Sequence, residues 1–218
     1  MFSQAEENYL KAIYSLELEH DKGVSTNLIA EKMLTKASSV TDMIRKLSDK
    51  SLVDYVKYKG VHLTEEGHSV AVSTIRKHRL WESFLVNKLG FKWDEVHDIA
   101  EQLEHIKSES LVNRLDEFLG FPKVDPHGDP IPDKDGYIYK QDQVQLSTLK
   151  PTETAQITAV KDSSDDFLRY LNQREIAIGD RLKVESIELF DRSMQLTIEG
   201  KGLSISSQVS KNILVKVL

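Results

Sequence analysis

Ser38–Thr64 reads SSVTDMIRKLSDKSLVDYVKYKGVHLT, and two patterns follow each other within it. In the first half, apolar residues fall at Val40, Met43, Ile44 and Leu47, the spacing of an amphipathic helix. In the second half, Val56 and Tyr58 and then Val61 and Leu63 alternate on either side of Lys59-Gly60, which predicts a hairpin with a polar tip. Just upstream, Ser25 is placed to cap a short helix, TNLIAEKM, and Leu34–Ala37 breaks its pattern. Two short amphipathic helices across a tight turn, followed by a hairpin, read as a winged helix-turn-helix. The second helix, starting near Ser38, presents Lys36, Ser38, Ser39, Thr41, Asp42 and Arg45 outward, and the wing adds Lys57 and Lys59. Hydroxyls, cations and a helix N-terminus suit phosphates and base edges. From Lys32 to Lys59 there are seven basic residues against three acidic ones, in a chain of net charge −6. A local basic patch in an acidic chain is the footprint of a phosphate-binding surface. The plain alternative is a helix pair that packs against a partner protein.

Before this stretch, Ser3–Glu6 forms a capping box that opens a helix with apolar positions Tyr9, Leu10, Ile13, Tyr14 and Leu16. After it, Thr64-Glu65-Glu66 starts a long helix to about Leu89. Trp93-Asp94 is expected to restart a helix to about Ser108, and Ser110–Phe118 carries another apolar stripe. That is more helix surface than one small winged domain can cover, so a helical dimer interface is expected. All five prolines lie between Pro122 and Pro151, marking a crossover. From Leu146 the pattern turns to short strands (AQITAVK, RLKVESIEL, MQLTIEG, LSISS, ILVKVL) interrupted by one short helix, DDFLRYLN. This is the pattern of a small SH3-like barrel. The fold class is therefore mainly α with small β modules. The expected divisions are 1–64 for the winged helix-turn-helix, 65–121 for the helical domain, 122–146 for the crossover and 147–218 for the barrel.

Hydrophobic content of 39% and charged content of 29% fit a soluble globular protein, and the chain has no cysteine. That excludes disulfides, removes the soft metal ligand and is consistent with a cytoplasmic protein. No apolar run approaches ~18 residues, so no membrane span is expected. The start, MFSQAEENYL, does not read as a signal peptide.

Arg76–His105, RKHRLWESFLVNKLGFKWDEVHDIAEQLEH, carries the chemistry. His78 and Glu82 are spaced i, i+4; His97, Glu101, Glu104 and His105 fall within roughly 100° of arc on a single continuous helix. His and Glu form the mixed ligand set of a borderline divalent metal. One such pair is usually a solvated face; six groups on consecutive helices, with apolar residues between them, point to metal. Asp125 and His127 lie in the Pro-rich segment, where a lone His is by default a solvated side chain.

With these pieces assembled, the chain resembles the metal-dependent repressors of the diphtheria toxin repressor and manganese transport regulator type. The resemblance rests on EENYLKAIYSLE, the helix-turn-helix, RKHRLWE, VHDIAEQLEH, FLGFPKVDPHGDPIP and the C-terminal barrel, and covers the whole chain. It implies a homodimeric repressor in which divalent metal fixes the first helix and orients two winged helices on a palindromic double-stranded operator. It also implies a helical dimerisation domain and a FeoA-like barrel. The primary site it implies comprises Asn8, Glu101, Glu104 and His105. Asn8 departs from the usual Asp or Met, and adjacent Glu7 is a possible substitute. Glu101 stands where iron-responsive members carry Cys and manganese-responsive members carry Glu. A second site implied by the resemblance uses His78, Glu82 and His97, then Asp125 and His127, with Asp162 the weakest carry-over. Mn(II) is the expected metal and Fe(II) the alternative; no small organic ligand and no enzymatic activity are expected.

Two readings from other classes compete. A two-metal carboxylate/His enzyme would use paired Glu-x-x-His helices, but it leaves the basic helix-turn-helix unexplained and has no accompanying nucleophile or Gly-rich substrate loop. A metal-free winged-helix regulator sensing a small organic ligand leaves the His/Glu cluster unexplained.

Overall fold

The computed structural model describes residues 2–20, 23–56 and 60–218. The chain forms two compact units, each gathered from separate stretches. The first comprises the chain up to His78, Glu101–Asn113 and Pro132–Tyr137. The second comprises Arg79–Ala100, Arg114–Ile131 and Ile138–Leu218.

The first unit begins with α1 (Gln4–Glu17), α2 (Thr26–Lys32) and α3 (Ala37–Asp49), followed by the hairpin β1 (Val53–Val56) and β2 (Gly60–Leu63). The expected capping box is present: Ser3 N–H donates to Glu6 Oε2 at 2.9 Å, and Glu6 N–H donates to Ser3 Oγ at 3.3 Å. Leu10, Ile13 and Leu16 of α1 share one core with Ile29, Val40, Ile44 and Leu47, and with Val53 and Val61 of the hairpin. The hairpin is antiparallel, with Val53 opposite Leu63 and Tyr55 opposite Val61. Glu17 anchors the end of α1 to the hairpin, its Oε1 accepting from Leu63 N–H at 3.2 Å. At the other end of α1, Glu6 is buried yet ionised. Burial opposes the charge, but Lys50 Nζ at 2.7 Å, the Ser3 N–H and Lys46 at 3.1 Å hold its carboxyl down to about 2. Two lysines of the local basic surplus are thus turned onto α1.

α4 (Glu65–Leu89) runs on from the hairpin, and α5 (His97–Leu103) and α6 (Glu109–Phe118) follow. α5 is shorter than the spacing predicts. Lys92 N–H bonds Glu95 Oε2 and Glu95 N–H bonds Lys92 O, a turn that delays the helix until His97. The Ile106 N–H bond to Leu103 O closes the helix before Glu104 and His105.

The second unit contains β3 (Val144–Gln145), a 3-10 turn (Leu146–Thr148), β4 (Thr154–Val160), α7 (Asp165–Gln173), β5 (Arg181–Ile187), β6 (Met194–Ile198), β7 (Lys201–Ile205), α8 (Ser207–Asn212) and β8 (Ile213–Val217). The sheet order is β3-β8-β4-β5-β6-β7, antiparallel throughout. Irregularities between Ile157 and Ala159, and between Val184 and Ser186, mark the bends expected of a closing sheet. Its core includes Ile157, Leu168, Leu171, Val184, Leu196 and Val215. β3 is too short and α8 too polar to show a hydrophobic period, so neither was legible in the sequence. No helix among the described residues is long and apolar enough to cross a membrane.

The Pro-rich loop lies against β4. His127 C=O accepts from Val160 N–H at 3.0 Å, and Gly128 sits at φ +87°. A Cβ at Gly128 would stand 2.1 Å from Thr158 O and 2.5 Å from Ala159 Cα. Gly128→Ala should therefore cost more than about 2 kcal/mol, from strain and overlap together. Urea denaturation checks this against Gly179→Ala, where a Cβ would meet nothing within 4 Å although φ is +100°.

Candidate metal centres and nucleic-acid interface

In the first unit the acidic groups converge. Glu104 is fully buried, and its Oε2 lies 2.6 Å from His78 Nδ1. A ligand atom from each of His78, Glu101 and Glu104 lies within 4.8 Å of the others. His105 Nδ1 lies 2.6 Å from Glu7 Oε2, and its Nε2 3.8 Å from Glu104 Oε1. Glu7, rather than Asn8, is therefore the α1 group in contact with this histidine. Asn8 is close by in sequence, and its Oδ1 is buried without a hydrogen-bond partner. Such an oxygen costs about 1–3 kcal/mol if nothing satisfies it. The donors are carboxylate, amide oxygen and imidazole, a set that fits a divalent cation of the hard-to-borderline class. Two cations that sequence patterning did not flag also face the cluster. Lys11 Nζ contacts Glu101 and Glu104. Burial pushes the Lys77 ammonium below its ordinary value, against the pull of Glu7 and Glu104. The signal for Lys11 was its place on the same face as Glu7, four residues on.

In the second unit, Glu82 is the hub. Its Oε1 lies 3.6 Å from His97 Nδ1 and its Oε2 3.5 Å from His127 Nδ1. Glu82, Asp125 and His127 offer ligand atoms within 4.8 Å of one another, and all three are buried. Asp125 Oδ1 accepts from the N–H groups of His127 and Asp129, which shapes the loop. His127 Nε2 meets Trp93 O at 2.8 Å, while Trp93 stacks on the ring at 6.0 Å and donates to Asn172 Oδ1 at 2.7 Å. Arg79 lies 3.6 Å from Asp125 and 3.4 Å from Asp129. Burial raises the Asp125 carboxyl, as do Asp129 and Glu82, while Arg79 opposes this. The His127 imidazole is held at about 9: burial would lower it, but Glu82, Asp125 and the Trp93 carbonyl outweigh that. His127 is thus no solvated loop side chain. Asp162 is not brought into this group; its Oδ1 instead accepts from Ser164 N–H at 2.9 Å ahead of α7. The arc drawn from His97 to His105 is also corrected. α5 ends at Leu103, and its ligands divide, His97 going to Glu82 and Glu101 to the His78–Glu104 cluster.

Lys36 is the N-cap of α3, and its side chain makes no cap hydrogen bond. Lys36, Ser38, Ser39, Thr41, Asp42 and Arg45 are all exposed. Thr41 Oγ1 donates to Ala37 O at 2.9 Å, which fixes its rotamer. The wing residues Lys57 and Lys59 lie outside the described residues.

Three family descriptions match in succession. Residues 1–61 match "Iron dependent repressor, N-terminal DNA binding domain", residues 64–133 match "Iron dependent repressor, metal binding and dimerisation domain", and residues 144–217 match "FeoA domain". The iron-dependent repressor IdeR of Mycobacterium tuberculosis (strain CDC 1551 / Oshkosh) is 36% identical over 126 residues, 58% of this chain and 54% of its own length. The chain thus spans about half the length of the mycobacterial relatives it matches. The diphtheria toxin repressor of Corynebacterium diphtheriae is 25% identical over 224 residues, 97% of this chain and 96% of its own. Among solved structures, a manganese-dependent transcriptional repressor in complex with manganese superposes with a TM-score of 0.88 at 37% identity, over 98% of this chain and 100% of that one. The manganese regulator SloR does so with a TM-score of 0.79 at 36% identity, over 98% of each chain.

With no metal bound, His127 contributes stability in full below about pH 6.5, its ordinary value, and loses it as the pH rises towards 9. Urea denaturation in chelator should therefore show a fall between pH 6 and pH 9 that His127→Gln removes. Metal binding at this group should release a proton below pH 9, seen as buffer-dependent heat in calorimetry.

Proposed function

Because this chain belongs to the family of metal-dependent transcriptional repressors that includes the diphtheria toxin repressor, we propose that it is a dimeric repressor whose operator binding is switched on by Mn(II), with Fe(II) a partial substitute. The observation that carries the choice of metal is the donor set: Glu7, Asn8, Glu101 and Glu104 supply oxygen and His78 and His105 imidazole, with no thiolate anywhere in the chain. Hard oxygen donors suit Mn(II), whereas thiolate favours softer or later metals. The two structural relatives named for manganese agree with that reading.

When bound, the cation supplies the positive charge that draws α1 donors to those of α4 and the α5 end. The protein's part is mechanical. Glu7 and Asn8 lie on α1, whose other face shares a core with α3. Fixing α1 therefore fixes the platform that carries Lys36, Ser38, Ser39, Thr41, Asp42 and Arg45. The open N-terminus of α3 suits a phosphate, and its outward hydroxyls and cations suit base edges. Glu82, His97, Asp125 and His127 form an accessory site on this reading, and Asp162 is left out because it is not gathered with Glu82, Asp125 and His127. The functional division is 1–64 for DNA, 65–121 for metal and dimerisation, 122–146 for the crossover and 147–218 for the barrel.

Gel shifts on the promoter regions of metal-transport genes should show a complex with Mn(II) that chelator abolishes; equal affinity in both conditions overturns the reading. Glu101→Cys should move the preference from Mn(II) towards Fe(II), Co(II) or Zn(II), read as the order of metals in the same titration. Replacing Lys36 and Arg45 by Ala should weaken binding to every sequence alike and lower the salt slope by about one unit per cation.

A further inference from the structure

We propose that Lys11 is an internal competitor for the metal: in the metal-free chain its ammonium pairs with Glu101 and Glu104, and a divalent cation must displace it in order to bind. This rests on the reading of Glu101 and Glu104 as metal donors.

Lys11 Nζ lies 2.7 Å from Glu101 Oε1, 2.8 Å from Glu104 Oε1 and 2.9 Å from Glu104 Oε2. An ammonium has three donors and no acceptor, so these contacts use all of them. The lysine therefore offsets one of the pair's two negative charges and has nothing left for Asn8 Oδ1, which stays buried and unsatisfied. The oxygens that hold the ammonium are the ones a dication needs. Two cations at the same carboxylates repel each other, the more so at Glu104, which has no exposed surface. Lys11 stands one helical turn after Glu7 and Asn8, on the face they share. Its side chain is 20% exposed, so a four-carbon stem lets the ammonium swing to water without moving α1.

Two consequences follow for the proposed switch. Without metal, Lys11 ties α1 to the α5 end and keeps the carboxylates from repelling each other. With metal present, its displacement raises the concentration at which the site fills. The lysine thus sets the threshold of the sensor, as a neutral residue at this position would not.

The test uses the full-length dimer and the metal alone. Mn(II) affinity is measured by competition against a fluorescent chelator for the parent, Lys11→Met, Lys11→Gln and Lys11→Arg, with thermal melting of each in chelator. The Met and Gln variants should bind Mn(II) about tenfold tighter or more, the scale on which neighbours of ligands move metal affinity. They should also melt lower than the parent when metal-free. Arg should keep parental affinity. In a second arm, acetic anhydride labelling read by mass spectrometry should find Lys11 protected in chelator and reactive in saturating Mn(II). Affinity in both neutral variants equal to or weaker than the parent's overturns the proposal, as does unchanged Lys11 labelling. If the parent itself binds neither Mn(II) nor Fe(II), the metal reading of the cluster has failed; if the parent binds and the neutral variants match it, only the competitor role has failed.

Discussion

Three carboxylates, those of Glu7, Glu101 and Glu104, meet in the first unit, two of them buried and that of Glu101 partly exposed, and a lysine or an imidazole stands against each. Glu104 has no exposed surface. A buried carboxylate survives as an anion only if it is paired and hydrogen-bonded. Each element that reaches the cluster brings such a partner: Lys11 from α1, His78 from α4, and His105 from the turn beyond α5. The same argument holds at the start of α1, where Glu6 is kept ionised by Lys46 and Lys50. α1 is thus held through successive acids, Glu6 towards α3 and Glu7 towards His105. Its position is an electrostatic quantity as much as a packing one.

The layout of the winged helix-turn-helix was legible because its signals are local. Ser3 and Ser25 cap the helices they were expected to cap, and the period of Val40, Ile44 and Leu47 is the core face of α3. The long α4 and the five main barrel strands were legible for the same reason. What was not legible depends on tertiary partners. The α1 side chain that meets His105 is that of Glu7, which the sequence offered only as a substitute for Asn8, because helical phase relative to a distant histidine cannot be counted along the chain. Nothing local marks Lys11, because its partners Glu101 and Glu104 lie 90 and 93 residues further along. His127 looked solvated until the Trp93 carbonyl and Glu82 enclosed it. The end of α5 was overestimated since nothing in the residues between Leu103 and Lys107 breaks a helix by type alone.

Charge bookkeeping on the DNA face changes in the same way. A surplus of basic residues read from composition treats every lysine as outward-facing. Lys46 and Lys50 instead bind Glu6, so that the proposed phosphate contact rests on Lys36, the N-cap of α3, and Arg45 within it, both exposed. On that proposal a narrower set of contacts would lean more on the helix N-terminus and the hydroxyls, and so on how well α3 is presented.

The backbone bond from Val160 to His127, together with the close fit of Gly128 on Thr158 and Ala159, gives the barrel a role in the genetics of the protein. The loop that carries Asp125 and His127 is held in place by a β-strand whose own position depends on Ile157, Val184 and Val215 in the barrel core. On the proposed reading of the chain as a repressor with Asp125 and His127 as metal donors, a screen for constitutive expression of the regulated genes would gather lesions scattered through the barrel interior, far along the chain from those donors, and these alleles would respond to added metal, since they loosen a donor without deleting it.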